Sequence, residues 1–398
     1  MKRILLVSDY FPPDIHGGAE ISTFELSKHL SNKHCVDVFT TYDENNRGLV
    51  LDNVGGVSVY RIHSSRISYF NNFSVVLRPI VFLKFYSFLR KNNYNLIHFN
   101  NVSFKLSFSI LILPKLFGIP SIFTFRDATS VVNGKFNSGF LNSNFKVSVL
   151  NEIKRNKFNF NPFRNFLIRN IFKLVDHRIS ISNVLKDVLV DNGINVDQVY
   201  SNRIYFNNNH SVNINMDFPY LLYIGRPSLD KGVFDIIKLI KFFNIKYSIK
   251  LVFVGFLESD LPKDVRDYIK NNEILDFISF FKWIPQADVF SFIFNSLVVI
   301  YPSRYIDAFG RVVLEALLAN TPVVVSKYAG ASEILLDKSL VYDPFLLGDL
   351  ESKLDYSIMN NSLIREHLKL NCEYYNKYNL SVIGNDYYNE FYNEIFQN

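Results

Sequence analysis

Hydrophobic runs of four to seven residues, each followed by a loop and a helical-length amphipathic stretch, recur along the whole chain. Runs that short and that uniformly apolar are buried on both faces, which calls for a parallel sheet covered by helices on either side. In the first half the pattern predicts strands at 3–8, 35–41, 96–100, 121–125 and 178–182, with helices at 19–30, 79–90 and 183–192. The rhythm stops near Asn202. The stretch NNNHSVNINMDFP, at 207–219, is polar, rich in asparagine and closed by a proline, as expected of a domain boundary. The strands YLLYIG, KLVFVG, LVVIYPS and PVVVS then restart the alternation. A chain of 398 residues is also too long for one ordinary core. The expected fold class is α/β, with Rossmann-like domains at 1–210 and 217–378. The amphipathic segment 379–398 places Tyr and Phe side chains where they can dock back on the first domain.

An apolar fraction of 48% with 20% charged residues describes a folded chain with ample core. The start MKRILLVSDYFPP holds only a four-residue apolar run before Ser8 and Asp9, too short for a signal peptide, and reads as the first strand. The greasy stretches at 75–89 and 108–125 are broken by Arg78, Pro79 and Lys84 and by Pro114, Lys115 and Pro120. No transmembrane helix is therefore expected. Cys35 and Cys372 are the only cysteines and have no metal-ligand spacing, which points to a reducing, cytoplasmic setting without a zinc site.

In an open α/β sheet ligands bind outside the carboxyl ends of the strands, so the loops there carry the chemistry. After YLLYIG comes RPSLDKG, with Arg226 at the strand end and Lys231 just before Gly232 and a helix. Two cations at a helix N-terminus suit a diphosphate, although such a loop can equally be a solvated turn. After LVVIYPS comes DAFGRVVLEA at 307–316. Gly310 allows the amides of Phe309 and Gly310 to approach a phosphate closely, and Asp307 serves either a ligand or the helix as its N-cap. Glu315 stands among apolar neighbours. It needs either an internal Arg or Lys or a ligand diol, whose two hydroxyls a carboxylate can accept together. In the first domain Gly17 and Gly18 open a helix after strand one, as an anion-binding turn or as a tight turn without ligand. Arg126 and Asp127 end the strand SIFTF and are a structural salt bridge or part of a site.

The pieces GGAE, GRPSLDKG, PSRYIDAFGRVVLEA, TPVVVS and AGASEIL, with ISNVLKDVLVDNGI and the pair Ser201–Asn202, together resemble the retaining glycosyltransferases of family 4. That family has the GT-B fold, two Rossmann-like domains facing an interdomain cleft. The resemblance implies that Arg226, Lys231 and Asp307 are catalytic. Arg226 and Lys231 would hold the diphosphate of a nucleotide-sugar and stabilise its departure, and Glu315 would bind the ribose hydroxyls. Gly17, Gly18, Phe309 and Gly310 would complete the donor contacts, and Arg126 and Asp127 would lie on the acceptor side. Asp307 matches the first acid of the E-x7-E motif, where glutamate is usual. Asn320 stands where a glycine usually follows the helix, and Arg126 where a histidine is frequent.

The resemblance also implies retention at the anomeric carbon and a glycan or lipid-linked acceptor in cell-surface polysaccharide or glycolipid synthesis. With Arg and Lys facing the leaving group, and no DxD motif in a strand-end loop, no metal and no cofactor are expected. Between 152 and 173 six basic residues and one acid interleave with Phe, Leu and Ile. That composition suits the surface of an anionic membrane, or a helix with one aromatic face packed and its basic face solvated. No nucleic-acid module accompanies it. A different class of function, a non-catalytic GT-B subunit that binds nucleotide or glycan for a partner, is motivated by Asp307 and Asn320.

Overall fold

The computed structural model describes residues 1–43, 48–65, 70–132, 145–206, 216–282, 284–383, 392 and 395. They divide into two compact units, one of residues 1–202 with Tyr392 and Ile395, the other of residues 203–383. The division falls at Asn202, ahead of the asparagine-rich stretch, most of which (207–215) lies outside the described residues.

The first unit is built on an eight-stranded sheet. Its strands are β1 (Arg3–Ser8), β2 (Cys35–Tyr42), β3 (Leu49–Val54), β4 (Val57–His63), β5 (Leu96–Asn101), β6 (Ser121–Phe125), β7 (His177–Ser180) and β8 (Gln198–Val199). They are ordered β3-β4-β2-β1-β5-β6-β7-β8. All pairs are parallel except β3 with β4, an antiparallel hairpin that the strand expectations omit. Its turn is Gly55–Gly56, both at positive φ (62° and 88°), the conformation that a two-residue hairpin turn requires. Most of β3 is exposed, so no apolar run advertises it.

Ile4, Leu5, Leu6 and Val7 of β1 are wholly buried, as the uniform run demands. Tyr392 and Ile395 join Ile4, Leu6, Leu26 and Val38 in one core cluster. Residues 379–383 stay with the second unit, where Asn379 bridges to Ile204, so the terminal segment splits rather than moving as one piece from 379. One segment, Asn71–Lys91, has the length and apolar composition of a membrane span despite Arg78, Pro79 and Lys84, and half of its apolar window is buried in the unit. Arg78 is itself buried, donating to Ser64 Oγ and to the carbonyls of Ser65, Phe104 and Lys105.

The second unit has six parallel strands: β9 (Tyr220–Ile224), β10 (Lys250–Val254), β11 (Ile278–Phe281), β12 (Val298–Tyr301), β13 (Val323–Ser326) and β14 (Val341–Tyr342). Their order is β11-β10-β9-β12-β13-β14. Every residue of β12 and β13 is buried, consistent with covered faces on both sides.

Candidate functional site

In the second unit the chain leaves β9 toward β10 and leaves β12 toward β13, in opposite directions across the sheet. Two adjacent strands whose following loops diverge make the switch point where α/β sheets hold ligands. The loop after β9 ends in a short 3-10 turn, Leu229–Lys231, capped by Gly232 at φ 71° before the helix Val233–Tyr247. A Cβ on Gly232 would stand 1.9 Å from the Pro302 carbonyl oxygen, so only glycine lets this loop lie against the one after β12. The Arg304 amide donates to the Asp230 carbonyl (2.8 Å) and stitches the two loops together.

That closeness delivers Lys231 to Asp307. Lys231 Nζ donates to Asp307 Oδ2 and, at 3.0 Å, to the Tyr301 hydroxyl. The hydroxyls of Tyr301 (2.6 Å) and Tyr305 (3.2 Å) donate to the same carboxylate oxygen. Both tyrosine rings also lie 5.1 Å from the ammonium. Burial opposes the charge on both ionic groups, but each offsets it for the other. Asp307 stays below the usual carboxylate range through Lys231 and the two hydroxyls, and Lys231 is held above the ordinary lysine value by Asp307 and Tyr301. Tyr301 and Tyr305 were not anticipated. Their places at the end of β12 and in its loop were the available signal.

Asp307 is no helix cap in this arrangement, since Gly310 occupies that position. It is pinned by backbone on both sides: its amide donates to Tyr328 O (2.9 Å) and its carbonyl accepts from Gly330 N (2.9 Å). Phe309 is buried and its carbonyl accepts from Ala331 N at 2.7 Å, so the AGASEIL segment acts as a strap under the loop. Gly310, at φ 95°, leads into the helix Arg311–Leu318. Glu315 is buried there, and Arg311 Nε lies 3.7 Å from its Oε1, one turn earlier. Arg311 is thus an intrahelical counter-charge for a carboxylate that apolar neighbours otherwise isolate, at the i,i+4 spacing. Asn320 has φ 53°. The position is left-handed, which explains both the family's glycine and why asparagine serves in its place.

Arg226 is exposed at the end of β9. Its side chain forms no hydrogen bond or ion pair among the described residues, while its charge lowers the pKa of both Tyr223 and Tyr305 against their burial. The loop therefore presents one guanidinium to solvent and one ammonium bound to a carboxylate.

In the first unit, Gly17 has extended backbone and caps the helix Gly18–Ser31, so a tight left-handed turn is not the reason for it. The carboxyl of Glu20 is buried, which raises its pKa, and backbone amides of Glu20, Gly17 and His16 partly restore it. An anion at Gly17 and Gly18 has this carboxylate as its competitor. Asp9, at the end of β1, is buried, its pKa pushed up to about 6, and accepts from the amides of Phe104, Lys105 and Leu106 at 2.7, 2.9 and 2.6 Å. It fixes the loop after β5. The structure separates the roles of Arg126 and Asp127. Arg126 donates to Asn100 Oδ1 (3.2 and 3.0 Å) and to Asn202 Oδ1 (3.2 Å). Asp127 accepts from Thr129, with burial raising its pKa to about 6. A pocket at the carboxyl ends of β5 and β6 is lined by Asn100, Ser103, Arg126, Asp127 and Ser130. Of the basic segment, Arg164 is buried, donating to Val132 O and Asn165 Oδ1.

Residues 206–387 match the family described as Glycosyl transferases group 1, and residues 16–200 match Glycosyltransferase Family 4. An uncharacterized glycosyltransferase of Methanocaldococcus jannaschii is 25% identical over 351 residues, 84% of this chain and 82% of that protein. The capsular polysaccharide biosynthesis glycosyltransferase CapM of Staphylococcus aureus is 26% identical over 180 residues, 42% of this chain and 45% of its own length. Among solved structures, sucrose-phosphate synthase from Thermosynechococcus elongatus aligns with a TM-score of 0.74 at 17% identity, over 100% of both chains. HepE of Anabaena, in complex with UDP and glucose, aligns with a TM-score of 0.66 at 16% identity, over 99% of this chain and 100% of that one. These likenesses establish the GT-B fold.

Proposed function

The chain belongs to the group 1 glycosyltransferases and resembles family 4, and from that premise we propose that it moves a sugar from a nucleoside-diphosphate donor to a glycan or lipid-linked acceptor with retention at the anomeric carbon. The observation that carries this reading is the Lys231–Asp307–Tyr301–Tyr305 cluster at the switch point, with the exposed Arg226 beside it. When the bond from the anomeric carbon to the diphosphate breaks, its electrons leave with the phosphate oxygen and positive charge develops on the sugar. Arg226 and Lys231 oppose the first change. Asp307, kept ionised at neutral pH, faces the second, or accepts from a hydroxyl of the donor sugar.

The amides at Phe309 and Gly310 approach the diphosphate, and Glu315 takes the ribose diol in addition to its ion pair with Arg311. With two protein cations at the leaving group, the reaction needs neither a metal nor a cofactor. Arg126 and Asp127 belong to the acceptor side. Support for a role in cell-surface polysaccharide or glycolipid synthesis comes from the likeness to a capsule-synthesis enzyme. Support for a cytoplasmic protein peripheral to the inner face of the membrane comes from the basic, aromatic composition of 152–173.

The experiment is a thermal-shift panel of UDP, GDP, ADP and CMP, followed by donor hydrolysis and transfer assays with the nucleotide that binds. Loss of turnover by at least about 100-fold is expected in Lys231→Ala and Arg226→Ala. Turnover undiminished in both variants, or unchanged melting with every nucleotide, refutes the reading.

A further inference from the structure

The helix Pro79–Lys91 reverses the usual arrangement of a helix that covers a sheet. Its inner side buries Val81, Phe85, Phe88 and Leu89, with the rings of Phe85 and Phe88 at 4.8 and 5.0 Å from that of Phe39. Its outer stripe, where polar residues are the rule, continues instead from Leu77 to Ile80 and Leu83, with Ile80 70% and Leu83 63% exposed. Phe70 and Phe73, just before, are exposed as well. Lys84, in mid-helix, is half-buried with its ammonium turned toward the His63 carbonyl (3.5 Å), and the last turn carries Arg90 and Lys91.

A second apolar row lies beside the first. Asn72 donates from Nδ2 to the Asn159 carbonyl (2.8 Å), and its own carbonyl accepts from Asn161 Nδ2 (3.2 Å). The turn carrying Phe70 and Phe73 is thereby tied to the one carrying Phe158, whose side chain is fully exposed at 103%. The helices Pro79–Lys91 and Arg164–Phe172 both pack on the turn Phe108–Ile112. Arg164, Ile168, Ile171 and Phe172 face inward from the second helix, leaving Phe163, Phe166 and Leu167 outside. Lys154, Arg155, Lys157, Arg169 and Lys173 are exposed among them, against the single acid Glu152.

We propose that these two rows form one composite face that docks on an anionic lipid bilayer. Ile80 and Leu83 enter the boundary between headgroups and acyl chains, and the cations of 154–173 hold the headgroups. The inference rests on the membrane reading of 152–173 and adds to it an apolar anchor from a different part of the sequence. Stable attachment to a bilayer takes two signals, one apolar and one electrostatic, and the face supplies both. Charge chooses the occupant: a second copy of the chain would bring like cations together, whereas an anionic surface neutralises them.

The test is flotation of the full-length protein with vesicles of phosphatidylglycerol and phosphatidylcholine, and with phosphatidylcholine alone, at low salt. Wild type is expected to float with the first and not the second. The variant Ile80→Glu/Leu83→Glu should float at least about tenfold less while keeping the wild-type melting temperature; if it melts lower, Ile80→Gln/Leu83→Gln, at the same exposed positions, is scored in its place. Flotation of these variants equal to wild type overturns the anchor while leaving the cationic segment standing. Wild type that does not float, or a reversal of Lys154, Arg155 and Lys157 to Glu that floats undiminished, overturns the membrane reading itself. A protein that runs as a dimer without vesicles, and as a monomer when Ile80→Glu/Leu83→Glu is introduced, assigns the face to self-association and overturns the proposal.

Discussion

Replacing Lys231 by methionine removes the cation and keeps most of its volume, so the consequence is electrostatic. Asp307 and Lys231 are 15% and 16% exposed, so neither can recover its solvation by a small movement. Breaking a pair of this kind by deleting one partner costs about 3–5 kcal/mol. The hydroxyls of Tyr301 and Tyr305 still donate to the orphaned carboxylate, which argues for the lower end, about 3 kcal/mol. In a unit of this size that is a drop in melting temperature of roughly 6–12 °C. Asp307→Asn leaves an ammonium facing two rings and costs a similar amount. The double variant Lys231→Met/Asp307→Asn orphans neither charge, so its loss should fall short of the sum of the singles by at least about 2 kcal/mol.

The depressed Asp307 contributes stability above the ordinary carboxylate pKa of about 4 and loses it as pH falls through its lower folded value. The raised Lys231 contributes fully below the ordinary lysine pKa of about 10.4 and loses it as pH rises through its higher folded value. The stability difference between wild type and double variant should therefore be flat from about pH 5 to 9 and shrink beyond it. Urea unfolding of the four proteins followed by circular dichroism measures all of this. Losses in the singles that simply add, within about 0.5 kcal/mol, refute the coupling.

Gly232→Ala should lower the stability of the second unit by at least about 2 kcal/mol, because it combines left-handed backbone with a collision against a backbone carbonyl, and a thermal melt will show it. Glu315→Gln should weaken binding of the preferred nucleoside diphosphate by about tenfold in calorimetry, while binding of inorganic pyrophosphate does not weaken, since the substitution removes the ribose contact and the ion pair with Arg311 but no group that faces the phosphates. His98 is buried between Tyr392 and Thr124, and burial holds its pKa down at about 3. Its neutral form contributes stability above the unfolded value of about 6.5 that is lost as pH falls, so the advantage of wild type over His98→Gln should shrink by about 2 kcal/mol between pH 7.5 and 5.

The uniform apolar runs of β1, β9, β12 and β13 were legible because double burial leaves no other composition. β3 and β4 escaped for the opposite reason. An edge hairpin exposes most of one strand, and the only mark left was Gly55–Gly56 between Val54 and Val57. At the site, Lys231 and Asp307 could be picked out individually from strand-end position, but not as partners of one another. Their contact depends on how closely two loops 76 residues apart approach, which the Pro302 carbonyl against Gly232 decides. Arg311 was in plain view, one turn before Glu315. Asn202 was marked through the family resemblance and Asn100 not at all, and their joint hold on Arg126 follows from no spacing rule, because it depends on which strand ends the sheet order brings together.

Because Asp307 already answers the charge of Lys231, Arg226 is left as the loop's solvent-facing cation. On the proposed reading a donor diphosphate would meet that guanidinium first and reach Lys231 only by exchange with a counter-ion that stays tethered beside it. A site of that kind would tell anions apart by how well they replace a carboxylate in the presence of two phenols.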